Sequence, residues 1–392
     1  MSRKQPRQLV PEDLRCPISL ELMSDPVIIS SGHTFDRSSI QRWFDSGHRT
    51  CPITKLPIPD PPTLIPNHTL RSLISSLSNT TPPLSQNNSP SSDPQTLVNT
   101  LLTCSDQDVK VNSLDQLSRI SKLDLGSRRR LIEAGVVSAL LNCLDSVPRR
   151  SHTYSDTNEV GDARVRVQEK ALHLFLNLSL DDDNKVGLVA EGLLGKVVSA
   201  LYGGAGDSRA VAATVLTSLA VVEVNKATIG TYPHAIPGLV FLLRAGNGRE
   251  RKEAATALYA LCLFGDNRVR AVENRAVGIL LRNASAGLER AVEVLGLLAK
   301  CREGRNEMLN YGNGVLGILV NFLTNGSSRG VQYALLTINA LCSYSEEMCF
   351  EATKDGVFEI CVRLLEDDNE KVRRNAKCLI QVLQGRSFTG KC

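Results

Sequence analysis

Hydrophobic positions follow two different rhythms along the chain. Between residues 26 and 58 they come in short clusters broken by Ser, Gly, Asp and Pro. Val27-Ile28-Ile29 is a β-branched run followed by Ser31-Gly32 and then Thr34-Phe35, a pattern that predicts a small hairpin. Asp36 is placed to cap the next helix, because its carboxylate can accept from unpaired first-turn amides. In that helix Ile40, Trp43 and Phe44 fall on one face, and Gly47 is a natural stop. A second helix is expected from about Asn67, with Leu70, Leu73, Ile74 and Leu77 along one stripe. From Ser78 to Pro94 the chain is Ser, Asn, Thr, Pro and Gln, too poor in apolar side chains to offset its ordering entropy. That stretch predicts a flexible tether.

After Pro94 the chain is rich in Leu, Val and Ala and repeats itself. An Asn-led helix start recurs at Asn184, Asn225, Asn267 and Asn306, at intervals of 41, 42 and 39 residues. A glycine or alanine step into an apolar helix follows, as at Gly192-Leu193, Ala235-Ile236 and Gly314-Val315. Each unit closes on a further apolar helix: Ala171 to Ser179, Ala212 to Ala220, Ala254 to Cys262, Ala291 to Ala299, Ala334 to Cys342, and Ala376 to Leu383. Three helices in about 40 residues is the period of an armadillo-type α-solenoid, in which one unit cannot cover its own apolar face and neighbours share a core. About six full repeats are expected, with a partial cap near Thr96 to Leu125. The first interval is longer, and its polar excess, Ser146 to Asp162, predicts a surface loop.

Composition narrows the function classes. A net charge of +4, one Trp and no basic stripe give no case for nucleic-acid binding. No run reaches the ~18 apolar residues of a membrane span, and Met1 to Pro6 lacks the apolar stretch of a secretory signal. A cytoplasmic protein is expected, with the nucleus as a second location. Most of the eleven cysteines, including Cys262, Cys342, Cys361 and Cys378, fall in apolar helical stretches and are expected to act as small core hydrophobes. Asp181-Asp182-Asp183-Asn184 lacks the central Gly and closing Glu of a calcium loop and is better placed for helix capping. Gly203 to Gly206 has no Lys-Ser or Lys-Thr and predicts a turn. Arg128-Arg129-Arg130 predicts a solvated charge cluster.

Cys16-Pro17-Ile18-Ser19 and Cys51-Pro52-Ile53-Thr54 carry the candidate chemistry. Each has one Cys where a structural zinc site needs a Cys-x-x-Cys pair. Cys16, His33 and Cys51 make three candidate ligands where two four-ligand sites would be required, so no metal and no cofactor are expected. His33 is expected to be a hydrogen-bonded turn residue, and Ser19 and Thr54 to bridge the loops by hydrogen bonds. Neither cysteine has a His and an acidic partner to activate it, so no covalent nucleophile is assigned.

The run Cys16 to Glu21, then Met23-Ser24-Asp25-Pro26-Val27, Gly32 to Arg37, Ile40, Trp43 and Cys51 to Thr54, resembles the U-box, the zinc-free relative of RING domains. With the repeats that follow, the chain resembles the plant U-box ubiquitin ligases with armadillo repeats. The expected fold is mostly α: a small α+β U-box at 9–79, a Ser/Pro/Asn-rich linker at 80–94 and an armadillo array at 95–386. The resemblance implies a ubiquitin ligase that works by proximity, holding a ubiquitin-charged conjugating enzyme beside a substrate lysine. It also implies that Ile18, Trp43, Pro52 and Ile53 contact the conjugating enzyme, and that Ser19 and Thr54 replace zinc ligands. Many members carry an arginine after the second hydroxyl position, where it contacts both ubiquitin and the conjugating enzyme. Lys55 stands there and keeps the charge without the planar fork. The array is expected to bind a protein substrate, of the kind represented by kinases and signalling regulators. The alternative is a non-catalytic armadillo adapter or scaffold. Against an import receptor, the array has no Trp, and at the groove-asparagine positions only Asn177 matches, followed by Ser218, Ala260, Leu297 and Ala340.

Overall fold

The computed structural model describes residues 14–19, 21–58, 93–145 and 159–387, together with 62, 64–67, 70 and 74. The chain divides into two units, residues 1–90 and 91–392.

In the first unit, Pro26–Ile28 (β1) and Thr34–Asp36 (β2) form the expected antiparallel hairpin, with Val27 opposite Phe35. Gly32 turns the chain at φ 80°, in the left-handed region that costs glycine little. Arg37–Asp45 (α1) follows, capped by the Asp36 carboxylate on the Ser38 amide at 3.1 Å. A two-residue strand, Ile65–Pro66 (β3), pairs with the other edge of β1. Sequence pattern does not announce it, since two residues carry no alternation. Proline fits there because an edge strand needs no outward donor. Met23, Val27, Ile29, Phe35, Ile40 and Phe44 form the core, with Cys16, Cys51 and Ile74 in it and Leu70 packed against it. Leu73 and Leu77 of the expected second helix lie outside the described residues, as do Leu9 and linker residues 80–92.

The second unit opens on Pro94–Thr103 (α2) and Gln107–Ser121 (α3). Pro94 was expected to end the tether; it instead begins α2, where its missing N–H costs nothing. Six three-helix repeats follow. They are Leu125–Glu133, Val136–Asp145 and Glu159–Leu178 (α4 to α6); Asp182–Ala190, Leu193–Gly203 and Ser208–Leu219 (α7 to α9); and Glu223–Thr231, Ala235–Ala245 and Gly248–Cys262 (α10 to α12). Then come Gly265–Glu273, Ala276–Ser285 and Glu289–Leu298 (α13 to α15); Arg302–Leu309, Asn313–Asn325 and Ser328–Tyr344 (α16 to α18); and Glu346–Lys354, Val357–Leu364 and Glu370–Ser387 (α19 to α21). Each third helix packs on the third helix of the next repeat, and one hydrophobic core runs from Leu97 to Leu383.

Three expectations change. The repeat asparagines do not start their helices. Asn225 and Asn267 lie inside the first turns of α10 and α13, 2% and 0% exposed, because their amides have buried work to do. The Asn267 side chain donates to the Lys226 carbonyl of the preceding repeat at 2.8 Å and to the Leu261 carbonyl at 3.0 Å. Asn225 does the same to Lys185 and Leu219. Each thus ties the end of a third helix, at Leu219 or Leu261, to the first helix of the preceding repeat, at Lys185 or Lys226. Second, residues 159–162 of the expected loop belong to α6, while 146–158 lie outside the described residues. Third, Cys378 is exposed on α21 rather than in the core. Cys262, Cys342 and Cys361 are fully buried, as expected. Asp181 caps α7, and Gly203 to Gly206 connect α8 to α9.

Candidate functional site

The two Cys-Pro-Ile loops of the first unit are closed locally. The Cys16 amide donates to the Glu21 carbonyl at 2.8 Å, and the Cys51 amide to Leu56 at 2.9 Å. Arg15 with Leu22, and Thr50 with Pro57, add one antiparallel bridge to each.

What ties the loops to the rest of the unit differs from the expectation for Ser19 and Thr54. The Ser19 hydroxyl accepts from the Glu21 amide at 3.5 Å and the Thr54 hydroxyl from the Leu56 amide at 3.4 Å, each inside its own loop. The longer ties use the cysteines. The Asp36 amide donates to Cys16 Sγ at 3.3 Å, and the Ser31 hydroxyl to Cys51 Sγ at 3.2 Å. Burial would raise the Cys51 thiol, but the Ser31 and Thr54 hydroxyls and the Thr54 and Ile53 amides outweigh it and bring it to about 7. Burial likewise opposes the lowering of Cys16 by the amides of Ser19, Asp36 and Ile18. Both thiols are wholly buried, so they serve as acceptors and offer no reachable nucleophile. His33 Nδ1 donates to the Ser31 carbonyl at 3.1 Å, the expected turn role. Among the described residues no group of three or more His, Cys, Asp or Glu is arranged to hold a metal ion.

Asp36 is the strongest tie. One carboxylate oxygen accepts from the Ser24 amide, the Ser24 hydroxyl and the Asp25 amide at 2.8 to 3.0 Å, and the other accepts from Ser38. Burial pushes its pKa up, yet these donors overcome that and hold it at about 2.

Trp43 is half-buried, held by its indole N–H donating to the Thr50 carbonyl at 2.8 Å. One ring face stacks on His48 at 3.9 Å, and the Lys55 ammonium sits 5.8 Å from the ring centroid. Lys55 takes φ 62°, uncommon for a side chain with a Cβ. With Ile18, Ser19, Ser39, Arg42 and Ser46, Trp43 lines an open groove of about 400 Å³. Ile53 is 46% exposed and Pro52 half-buried; neither lines that groove, and their loop reaches Trp43 through Thr50 and Lys55. Leu56, 59% exposed, extends the apolar surface of the second loop and was missed by the motif, which ends at Lys55. His48 and Arg42 were missed too, the first because nothing in its local pattern announces a stack on Trp43.

A small sheet-and-helix unit with two locally closed loops, followed by six three-helix repeats, defines a U-box protein with an armadillo array. The sequence matches the U-box domain over residues 10–80 and the Plant U-box protein ARM repeat region over residues 96–392. The chain belongs to this family of plant U-box proteins with armadillo repeats. It is 54% identical over 382 residues to U-box domain-containing protein 8 of Arabidopsis thaliana, which covers 96% of this chain and 98% of that protein. It is 38% identical over 186 residues to E3 ubiquitin-protein ligase SPL11 of Oryza sativa subsp. japonica, a match covering 44% of this chain and 24% of that protein. Among solved structures, the designed armadillo repeat protein YIII(Dq)4CqI matches with a TM-score of 0.46 and 18% identity, covering 74% of this chain and 100% of that one. Among the described residues, no single helix is long and apolar enough to cross a membrane.

Proposed function

We propose that this protein is a ubiquitin ligase in which the U-box recruits a ubiquitin-charged conjugating enzyme and promotes direct transfer to a lysine of a substrate held by the armadillo array. The observation that carries the reading is the partly exposed apolar surface made by Ile18 and Trp43 in one groove and by Ile53 on the neighbouring loop. Such anchors suit a partner whose loops insert apolar side chains, and Trp43 is positioned for it by the Thr50 bond and the His48 stack. The chain holds no nucleophile of its own in this scheme. Its contribution is orientation, with Lys55 supplying the positive charge beside the bound conjugate.

The test is ubiquitin-chain formation by the full chain with activating enzyme, conjugating enzyme, ubiquitin and ATP. Trp43→Ala abolishes it if the reading holds. Failure of the wild type to form chains with a broad set of conjugating enzymes would instead leave a non-catalytic armadillo adapter.

A further inference from the structure

Third helices of repeats two apart touch at Tyr259 and Tyr333. The Tyr259 hydroxyl on α12 and the Tyr333 hydroxyl on α18 are 2.6 Å apart, with the whole of α15 between their helices. Two helix spacings, on the order of 20 Å, are bridged there, which requires the layer of third helices to curve inward. The sequence makes room for it. Helix α15 has 10 residues against 15 and 17 in its neighbours, and Gly296 leaves the space over which Tyr333 lies, since a Cβ there would come 2.8 Å from the ring.

Cations gather on this bridge. The Arg290 guanidinium lies 5.1 Å from the Tyr259 ring centroid, and that of Arg329 lies 5.4 and 6.0 Å from the rings of Tyr259 and Tyr333. Both arginines reach one buried carboxylate, Glu293, at 2.6 and 2.7 Å. Lys371, at the start of α21, completes the group; it is exposed and has no ion pair among the described residues. Glu293 therefore offsets two arginines, and the exposed Lys371 adds a further positive charge to the groove. The adjoining groove of about 440 Å³ is lined by Tyr259, Tyr333, Arg329, Lys371 and the polar side chains of Ser328, Gln332 and Asn369, with no carboxylate. The rings lie beside the Arg329 guanidinium, and only its Nε is used by Glu293. Burial and the bond to Tyr259 push the Tyr333 phenol above its ordinary range, so it remains a hydroxyl donor.

We infer that this groove is a docking subsite for an anionic side chain, carboxylate or phosphoryl, carried by an extended segment of a protein partner. Arg329 and Lys371 make the charged contacts, and the tyrosine, serine and amide groups supply neutral donors. The inference rests on the substrate-capture role proposed above, but its test involves no ubiquitin transfer, so the two can fail separately.

Fluorescent peptides of one neutral, extended sequence are titrated into the full-length protein by anisotropy, with Ser, phosphoserine or a Glu-Asp pair at the centre. The expected result is that the anionic peptides bind more tightly than the Ser peptide and lose affinity as salt rises. Lys371→Gln and Arg329→Gln each weaken anionic binding by about tenfold and leave the Ser peptide unchanged. Preference for phosphoserine over Glu-Asp assigns the phosphoryl form, and equal binding assigns any anionic side chain. Lys371 is exposed, so its variant tests the site without disturbing the core. Equal binding of all three peptides, binding of none, or wild-type affinity in Lys371→Gln would overturn the inference.

Discussion

Replacing Asp36 should weaken the small unit by an amount that depends on pH. The carboxylate joins the Ser24-Asp25 turn to the start of α1 and is 7% exposed. Its pKa falls from 3.8 to about 2, and at about 1.4 kcal/mol per unit that is worth about 2 kcal/mol. The sign follows from the depressed value. The contribution is fully present above the unfolded pKa, near 4, and is lost as pH falls through about 2. Asp36→Asn keeps an acceptor oxygen but presents an amide to donors on one side, so it should lose about 2 kcal/mol. Asp36→Ala also loses the helix cap, worth about 1 kcal/mol more. Trp43 is the only tryptophan in the chain, so its fluorescence in urea follows the first unit within the intact protein. With a denaturant slope of about 1 kcal/mol/M for so small a unit, the Asn variant should shift the midpoint by about 2 M near neutral pH. The gap to wild type should close between about pH 4 and pH 2. Equal midpoints at neutral pH, or a gap that persists at about pH 2, would refute the assignment of that stability to the carboxylate.

Two further outcomes are expected. Lys55→Arg should preserve or raise the rate of ubiquitin discharge from the conjugating enzyme and Lys55→Ala lower it by about tenfold; unchanged rates in both would remove Lys55 from the mechanism. In the array, Asn267→Ala removes its two bonds to the Lys226 and Leu261 carbonyls and should cost about 2 kcal/mol in thermal unfolding, whereas Gly230→Ala drives a Cβ to within 1.7 Å of the Asn267 side chain. The double variant should be more stable than the sum of the two losses implies, and strict additivity would mean that the two positions do not share one space.

Much of the array was legible because its repeat marks are chemical necessities. At Asn184, Asn225 and Asn267 the side-chain amide donates to a carbonyl at the end of the preceding third helix, whereas Asn306 is exposed and accepts from Tyr344. The second mark, a glycine before the middle helix, was legible only in part. Gly192 and Gly356 hold left-handed backbone at φ 90° and 74°, but in two repeats the same position is filled by His234 at φ 64° and Arg275 at φ 59°. A pattern sought as glycine disappears there although the geometry persists. Candidate groups were legible where a local motif marks them, as for Ile18, Trp43 and Ile53, and hidden where neighbours come from distant parts of the chain. No window of sequence brings Tyr259 to Tyr333, 74 residues away, because that meeting depends on a short helix and a glycine belonging to the repeat between them.

The same distinction separates the two halves of each Cys-Pro-Ile loop. The positions of Ser19 and Thr54 follow directly from the motif, but their hydroxyls accept only from amides of their own loops, Glu21 and Leu56, so they do not tie the loops to the rest of the unit. That work falls to Cys16, Cys51 and Asp36, whose partners lie 11 to 20 residues away. These acceptors are a buried sulfur in each loop and a carboxylate with a depressed pKa, so the frame behind Ile18 and Ile53 draws its strength from hydrogen bonds to electron-rich atoms. Each such bond is worth roughly 1 to 3 kcal/mol, with the carboxylate at the upper end. The exposed apolar surface around Ile18 and Ile53 is therefore most sensitive to loss of Asp36 and less sensitive to changes at Ser19 and Thr54.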